Sequence, residues 1–289
     1  NNDRLVRGDT FVKQVGGAEL NVAVGVALLG LRTGVISKLP SHDMGSFMKG
    51  KIRSYGVSDD FFMYDDSPSA RVGIYYYENG AYPRKPKVIY DRANSSFYSL
   101  KIDEIPEKAY TASRCFHTSG ITLALSPKVR ETTIEMIKRF KAAGTLVSFD
   151  VNFRGNLWTG EEAKECIEQI LPYVDIFFCS EDTARLTFKK TGTAREMMKS
   201  FTEEYPISIV ASTQRIVHSP KSHTFGSIIY DARKDIYYEE EPYRDIDVVD
   251  RIGSGDAYIS GALYGLLTSD FDCEKAVRYG NATSAVKNT

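Results

Sequence analysis

The chain alternates between short apolar runs and amphipathic stretches from about residue 110 onward. Buried strands are predicted at 114–117, 146–149, 176–178 and 207–211. Apolar positions three to four residues apart predict helices at 128–143, 161–171, 181–189 and 195–205. This alternation is typical of an α/β fold with a mainly parallel sheet covered by helices on both faces. Ligands of such sheets bind at the carboxyl ends of the strands.

The segment 70–92 has a different pattern. Residues 71–77 are rich in β-branched and aromatic side chains, Asn79-Gly80 is typical of a turn, and 88–90 is extended. The pattern predicts a hairpin outside the α/β core. It leaves open whether this is an ordinary edge hairpin or a small lid over a site, carrying Tyr75, Tyr90 and Arg92.

The composition is typical of a globular chain, with 42% hydrophobic and 26% charged residues among 289. That length fits one large domain or two small ones. The net charge of −1 argues against a nucleic acid or an anionic membrane as a partner. The longest apolar run, 21–31, is shorter than the ~20 residues that a membrane-spanning helix needs.

The cysteines and histidines form no metal or redox motif. No two cysteines have C-x-x-C spacing, so we expect reduced, packed thiols in a cytoplasmic protein. No signal peptide is visible. The chain begins Asn1-Asn2-Asp3 without a methionine and stops at Thr289 inside a predicted helix, which indicates that both ends are truncated.

The strongest local signal for chemistry lies at residues 250–257, before an apolar helical run at 258–267. Gly253 and Gly255 allow a sharp turn and the close approach of a ligand. The first N–H groups of the following helix then form an anion site. Asp256 could cap that helix or accept a proton from a hydroxyl that attacks a phosphate. The segment is neither a Walker loop nor a protein-kinase loop.

A second glycine-rich segment lies near the start of the chain. Gly16 and Gly17 lead through Asn21 into an apolar helix that ends at Gly30. The pattern is compatible with ordinary entry into a helix. It is equally compatible with backbone wrapped closely around a small polar ligand.

Taken together, the two segments resemble the N-terminal and C-terminal signatures of the ribokinase-like (PfkB) sugar kinases, in the same order and at a fitting separation. Within that family the likeness is greatest to the 2-keto-3-deoxygluconate kinases. It rests on the Gly-Ala-Glu-x-Asn-Val-Ala form of the first segment and on residues 73–75, 90–92 and 150–154.

The resemblance implies one domain over residues 1–289, a three-layer ribokinase-like α/β fold with a mainly parallel central sheet. It adds a small β-sheet lid formed by about 5–16 and 70–92. The implied reaction transfers the γ-phosphate of ATP, with Mg²⁺, to the terminal hydroxyl of 2-keto-3-deoxygluconate. A lid with exposed aromatic side chains also predicts a dimer or larger homo-oligomer.

The family's functional positions carry over to this chain residue by residue. By that resemblance Asp256 is the general base, and the backbone of Gly253, Ser254 and Gly255 is the anion hole. Substrate contacts are implied at Gly16, Gly17, Asn21, Tyr75, Tyr90, Arg92, Arg154 and Asp256. Nucleotide contacts are implied at Asn152, Ser180, Ser212, Thr213, Gly253, Gly255 and Asn281.

Arg92 and Arg154 suit a substrate with a carboxylate, because a guanidinium donates two parallel hydrogen bonds to a planar anion. Arg154 could instead stabilise the transferred phosphoryl group. A neutral-sugar kinase, such as a fructokinase or a ribokinase, would not need two cations facing its sugar. A sugar-acid sensor without catalysis is the alternative of another class, although Asp256 and both glycines of the anion hole are present.

The chain departs from the family pattern at three places. Ser254 stands where alanine is common. The stretch 180–183, Ser-Glu-Asp-Thr, stands where the family has Asn-x-x-Glu, linked to Mg²⁺ and phosphate, so the sequence does not identify metal ligands. Residues 209–215 and the polar stretch after them replace the usual nucleotide-side glycine loop. Asn281 matches a position near the adenine, or is an ordinary surface residue of a helix.

Overall fold

A computed structural model describes residues 4–80 and 83–289. The connection predicted at Asn79-Gly80 runs on through residues 81–82, which lie outside the described residues. The helices are α1 (Ala18–Leu28), α2 (Asp43–Ser54), α3 (Lys108–Thr111), α4 (Gly120–Ala124), α5 (Pro127–Ala142), α6 (Gly160–Glu168), α7 (Glu181–Leu186), α8 (Ala194–Glu204), α9 (Ser254–Thr268) and α10 (Cys273–Asn288).

The strands are β1 (Thr33–Pro40), β2 (Val57–Asp65), β3 (Ile74–Glu78), β4 (Lys87–Asp91), β5 (Cys115–Ser119), β6 (Leu146–Asp150), β7 (Ile176–Phe178), β8 (Ile209–Ser219), β9 (Ser222–Asp231), β10 (Ile236–Glu239) and β11 (Tyr243–Asp247). In the part of the chain that the structure describes, a seven-stranded sheet has the order β10-β9-β8-β7-β6-β5, with β11 paired to β9. The pairs from β5 to β8 are parallel, and the pairs that β9 makes are antiparallel. The central sheet is therefore mixed.

The register of the parallel strands aligns their carboxyl ends. Ser119 pairs with Asp150, Asp150 with Phe178, and Phe178 with Ala211. The first residues beyond β6 and β7, and the continuation of β8, therefore emerge side by side at one edge of the sheet, where α/β sheets bind their ligands.

Side chains of the sheet alternate between two apolar cores. Phe177 and Val210 belong to one core with Ile137 of α5, while Ile176 and Ile209 belong to the other with Leu263 of α9. Since successive residues of a strand point to opposite faces, this places α4, α5, α6 and α8 on one face and α1, α9 and α10 on the other. The predicted three-layer α/β fold is confirmed.

Two small sheets lie apart from the central one. β1 and β2 pair in parallel, and β3 and β4 form an antiparallel hairpin. The segment 5–16, predicted to form part of the β-sheet lid, contains no strand, but it runs against the hairpin, where the ring centroids of Phe11 and Tyr76 are 5.5 Å apart. Strand β4 is exposed along its whole length.

Element boundaries differ from the prediction where turns and pairing decide them. The helix predicted to reach Leu171 ends at Glu168, and a short 3₁₀ turn with Pro172 follows. Strand β8 continues to Ser219 because it pairs with β9 almost to the hairpin turn. Within the described ranges 4–80 and 83–289, every helix is too short or too polar to cross a bilayer.

Candidate active site

One large cleft of about 1490 Å³ lies at the carboxyl edge of the sheet, between the β3–β4 hairpin and the N-terminal turn of α9. It brings together predicted residues from distant parts of the chain. They are Gly16, Gly17, Asn21, Tyr75, Tyr90, Arg92, Asn152, Arg154, Gly253, Ser254, Gly255 and Asp256. Ser180, Ser212, Thr213 and Asn281 do not line this cleft.

The N-terminal turn of α9 leaves hydrogen-bond donors free. Gly253, its N-cap, has a φ of 76°, a left-handed conformation that favours glycine. In the described residues, the N–H groups of Gly253, Gly255 and Asp256 have no acceptor, whereas Ser254 donates its N–H to the carbonyl of Arg251 at 3.2 Å. Of the three N–H groups predicted for the anion hole, those of Gly253 and Gly255 are therefore free, as is that of Asp256, whereas that of Ser254 is engaged in the turn.

The side chain of Asp256 is held by the first glycine-rich segment. Asn21 Nδ2 donates to Asp256 Oδ2 at 2.7 Å, although the two residues are 235 positions apart. A Cβ at Gly253 would lie in ordinary contact with this pair, 3.5 Å from Asn21 Nδ2 and 3.6 Å from Asp256 Oδ2. The turn thus needs a glycine for its left-handed backbone conformation rather than for space.

Burial raises the pKa of Asp256 to about 6, against the hydrogen bond from Asn21, which lowers it. The charge of Glu19 adds to the rise and that of Arg154 opposes it. At neutral pH the group is therefore mostly ionised, yet a stronger proton acceptor than an ordinary aspartate. Such a carboxylate fits the role of a general base.

Two further carboxylates accompany Asp256, and sequence reasoning assigned neither a role. Glu19 Oε1 accepts hydrogen bonds from Ser119 N at 3.0 Å, Ser119 Oγ at 2.8 Å and Thr122 Oγ1 at 2.6 Å, which ties the start of α1 to the end of β5. Burial, and next the charge of Asp256, raise the pKa of Asp150 to about 7. Glu19 lies in the first glycine-rich segment and Asp150 opens the segment 150–154, so carboxylates within these motifs were the sequence signal that could have identified them.

The hairpin contributes an aromatic and cationic wall. The rings of Tyr75 and Tyr90 have centroids 6.2 Å apart, and the Arg92 guanidinium lies 4.3 Å from the centre of the Tyr90 ring. Burial, and then the charges of Tyr90, Asp250 and Asp256, raise the pKa of Tyr75. Tyr75 therefore faces the side of the cleft where Asp256 lies.

Arg154 and Asn152 follow β6 at the carboxyl edge. Asn152 has a φ of 37° and donates its N–H to Asp150 Oδ1 at 3.1 Å, which makes a tight turn at the strand end. Arg154 is exposed, and its charge lowers the pKa values of Asp150 and Asp256. The turn thus brings one cation close to both carboxylates.

The remaining predicted nucleotide residues lie on both faces of the sheet. Ser212, on β8, and Asn281, on α10, are 3% and 1% exposed. Within the described ranges, Ser212 Oγ and Asn281 Nδ2 have no hydrogen-bond partner, while Asn281 Oδ1 accepts from Ser227 Oγ at 2.7 Å. Thr213 lies opposite Ser227 in the β8–β9 register and so shares the α10 face with Asn281, whereas Ser212 points to the other face. Orphaned buried polar atoms are costly without a ligand or water, so each of the two atoms fits a polar partner such as a nucleotide or a water.

The stretch that replaces Asn-x-x-Glu is largely engaged within α7. The hydroxyls of Ser180 and Thr183 hydrogen-bond each other at 2.9 Å, and Ser180 caps α7 by accepting from Thr183 N at 3.3 Å. Glu181 pairs with Arg185 at 2.8 Å, which among the described residues leaves Asp182 as the carboxylate of the stretch without an ion pair. No group of three or more His, Cys, Asp or Glu side chains in the described part of the chain is placed to hold a metal.

The comparisons with known proteins agree with this geometry. The sequence matches the family described as "pfkB family carbohydrate kinase" over residues 1–289. It is 34% identical over 287 residues to a 2-dehydro-3-deoxygalactonokinase of Haloferax volcanii, covering 99% of this chain and 86% of the relative. It is 28% identical over 278 residues to a 5-dehydro-2-deoxygluconokinase of Listeria monocytogenes, covering 96% and 81%.

Among solved structures, the fold superimposes on the crystal structure of a 2-dehydro-3-deoxygluconokinase from Thermotoga maritima. The TM-score is 0.93 and the sequence identity 30%, with 100% of this chain and 89% of that chain covered. The similarity extends over the central sheet, both helical layers and the hairpin together.

Proposed function

The chain belongs to the PfkB family of carbohydrate kinases, and from that premise we propose that it uses ATP to phosphorylate the terminal hydroxyl of 2-keto-3-deoxygluconate, giving the 6-phosphate. One observation carries the proposal. Asp256 is a partly buried carboxylate at the free N-terminal turn of α9, in one cleft with Arg92 and Arg154. The relatives support the substrate class, since their names are those of kinases for dehydro-deoxy sugar acids or their close analogues.

Asp256 takes the proton of the attacking hydroxyl. A sugar hydroxyl has a pKa far above neutral, so the proton moves as the new bond forms rather than beforehand. The terminal oxygen of the sugar bonds to the γ-phosphorus, the bond from that phosphorus to the β–γ bridging oxygen breaks, and ADP leaves. Asn21 keeps the Asp256 carboxylate in place through the 2.7 Å hydrogen bond.

The N-terminal turn of α9 stabilises the transferred phosphoryl group. The free N–H groups of Gly253, Gly255 and Asp256 point out of a helix end with partial positive charge. Such preorganised donors are worth most where water is excluded, and the β3–β4 hairpin is placed to cover the cleft. Mg²⁺ bound to the nucleotide would supply further charge neutralisation, and no step here depends on a protein ligand for it.

The carboxylate of the sugar acid selects the substrate. Arg92 is stacked on Tyr90, so its guanidinium is held at the wall of the cleft with its N–H groups available. Arg154 reaches the cleft from the opposite side of the site, after β6. A neutral sugar would leave Arg92 without an anion, and a site built for a charged group rejects an analogue that lacks it.

The test is the rate of ADP release from a panel of acceptors. The panel holds 2-keto-3-deoxygluconate, 2-keto-3-deoxygalactonate, 5-keto-2-deoxygluconate, fructose, ribose and no sugar, with Arg92→Gln beside the wild type. We expect the highest kcat/KM with 2-keto-3-deoxygluconate. Arg92→Gln should raise KM for the acids by about tenfold, as for other lost charge-assisted hydrogen bonds, and leave neutral sugars unchanged.

Three outcomes would contradict the proposal. Preference for fructose or ribose would retain the kinase and remove the carboxylate role of Arg92. Preference for another sugar acid of the panel would retain that role and replace the substrate. Binding of a sugar acid without any turnover would make the protein a sensor.

We also propose that the chain self-associates through the exposed hairpin. On the face of the hairpin away from the cleft, Ile89 of β4 and Phe11, which packs on Tyr76, are exposed at 43% and 61%, and grouped apolar side chains on a surface favour association. Light scattering at assay concentration should give at least twice the mass of one chain. A monomer mass would contradict this.

A further inference from the structure

Two arginines outside the predicted site line the same cleft. Arg215 lies on β8, and Arg251 lies in the loop that leads into α9. Both side chains are exposed toward the cleft that Gly253 and Asp256 also line. The two guanidinium groups are therefore accessible to whatever binds there.

Neither arginine has a counter-charge in the protein. Among residues 4–80 and 83–289, no hydrogen bond or ion pair engages either guanidinium, and the neighbouring carboxylate, Asp250, pairs with Lys287 at 3.4 Å. Burial, and then the charge of Arg251, lower the pKa of Arg215. The two cations therefore repel each other in the free protein, which costs free energy that a bound anion would remove.

The neighbours of the pair leave its positive charge uncompensated. Burial, followed by the charges of Arg215 and Arg251, lowers the pKa of His223 on β9. On the hairpin side, burial and the charge of Asp250 raise the pKa of Tyr77 of β3, and the charge of Arg251 lowers it. The pair thus lies between the β8–β9 ribbon and the hairpin, and the carboxylate next to it, Asp250, is engaged by Lys287.

We propose that Arg215 and Arg251 form a clamp for the terminal phosphates of the nucleotide. The proposal rests on the proposed function in taking the bound anion to be a nucleoside polyphosphate. A single carboxylate does not require two guanidinium groups and a helix N-terminus together, whereas a polyphosphate carries several negative charges along a short chain.

The placement of Arg215 supports the same ligand. It lies two residues beyond Thr213 on β8, so its side chain shares the face of the sheet on which Ser227 bonds Asn281. Arg251 lies in the loop that leads into the N-terminal turn of α9. The two arginines thus belong to the strand and the turn that carry predicted nucleotide residues.

The experiment measures binding of ATP, ADP and AMP by calorimetry, without sugar, so that no turnover is needed. The variants are Arg215→Gln, Arg251→Gln and the double variant. Arg195→Gln is the matched control, because Arg195 lies on α8 in an exposed ion pair with Glu239. Thermal unfolding by circular dichroism checks that each variant is folded.

We expect each clamp variant to weaken ATP and ADP binding about tenfold, the usual effect of one lost charge-assisted hydrogen bond. AMP affinity and the affinity for 2-keto-3-deoxygluconate should stay unchanged, as should all affinities of Arg195→Gln. Unchanged ATP affinity in the folded double variant would overturn the clamp. So would a loss of sugar-acid affinity alone, which would place the substrate carboxylate between the two arginines.

These outcomes separate the clamp from the proposed function. Clamp variants with full ATP affinity, in a protein that phosphorylates the sugar acid, overturn only the clamp. A wild type that binds ATP through the two arginines but phosphorylates no member of the acceptor panel overturns only the proposed function.

Discussion

The proposed sugar end and the proposed nucleotide end of this site are built in opposite ways. At the sugar end, polar side chains bind each other: Asn21 holds Asp256, and Glu19 accepts three hydrogen bonds from Ser119 and Thr122. At the nucleotide end, the described residues leave Ser212 Oγ and Asn281 Nδ2 unpartnered. Each such buried group costs about 1–3 kcal/mol until it finds a partner. The proposal therefore has a sugar end that is formed in advance and a nucleotide end that its ligand completes.

The largest effect is expected from Asp256→Asn at the preformed end. The amide keeps an oxygen that can accept from Asn21 and loses the proton acceptor, so kcat with 2-keto-3-deoxygluconate should fall by about 10²–10⁴-fold. ATP affinity, measured by calorimetry, should stay the same. A variant that keeps more than about a tenth of wild-type kcat would show that Asp256 is not the base.

The same substitution should stabilise the fold at alkaline pH. Folding raises the pKa of Asp256 from 3.8 to about 6, so the native state binds this proton more tightly than the unfolded chain. The ionised form then costs stability, and the cost grows as the pH rises from about 4 to about 6 and stays constant above that. The Tm of Asp256→Asn should exceed that of the wild type at pH 8, and the difference should shrink toward pH 4.

A smaller effect is expected from Asn21→Ala, which removes the support of the base. Its hydrogen bond lowers the pKa of Asp256, so its loss should raise that pKa. The acidic limb of the pH–rate profile should move to higher pH, and kcat at pH 7 should fall about tenfold, as for the loss of one charged hydrogen bond.

Ser260→Ala is the matched control for Asn21→Ala. Ser260 Oγ also joins α9 to α1, since it lies 3.2 Å from the Val22 carbonyl and 2.7 Å from the backbone carbonyl of Asp256, but it makes no hydrogen bond to the Asp256 carboxylate. Ser260→Ala should lower Tm and leave the acidic limb of the pH–rate profile at the pH of the wild type. An equal shift of the limb in both variants would mean that helix packing, rather than the Asn21 hydrogen bond, sets the pKa.

The smallest effects are expected at the nucleotide end, where two substitutions should change the stability of the free protein in opposite directions. Ser212→Ala removes an unpartnered buried hydroxyl, so the free protein should gain stability while ATP binds a few-fold more weakly. Ser227→Ala breaks the 2.7 Å bond to Asn281 and should cost about 1 kcal/mol of stability. Tm values and calorimetric Kd values for both variants check this. A loss of Tm in Ser212→Ala would contradict the contrast between the two ends.

The same contrast explains which parts of the site could be predicted from the sequence. The residues of the sugar end lie in short motifs, Gly16 to Asn21 and Gly253 to Asp256, and the structure joins these motifs directly. The strand–helix alternation likewise predicted the three layers, because buried strands and amphipathic helices have distinct periods. Glu19 and Asp150 were inside these motifs, but only the fold shows that they share the cleft with Asp256.

The residues of the nucleotide end could not be predicted from short motifs. Thr213 and Asn281 share one face of the sheet only through the register of β8 on β9 and the packing of α10. Arg215 lies in no motif, and Arg251 occupies a position that the motif at 250–257 leaves unspecified. The sequence also suggested three successive N–H donors in the anion hole. The turn instead uses the N–H of Ser254 for the Arg251 carbonyl, a detail of backbone geometry that residue types do not encode.

The account depends most on Asp256 being the group that takes the proton at the preformed sugar end. The most direct test is kcat/KM for 2-keto-3-deoxygluconate from pH 4.5 to 9 at saturating ATP, for the wild type and Asp256→Asn. With a pKa of about 6, the wild-type rate should fall about tenfold per pH unit below that value, and the residual rate of the variant should show no such limb. A wild-type rate that is flat from pH 5 to 8, or a variant with the same limb, would contradict the account.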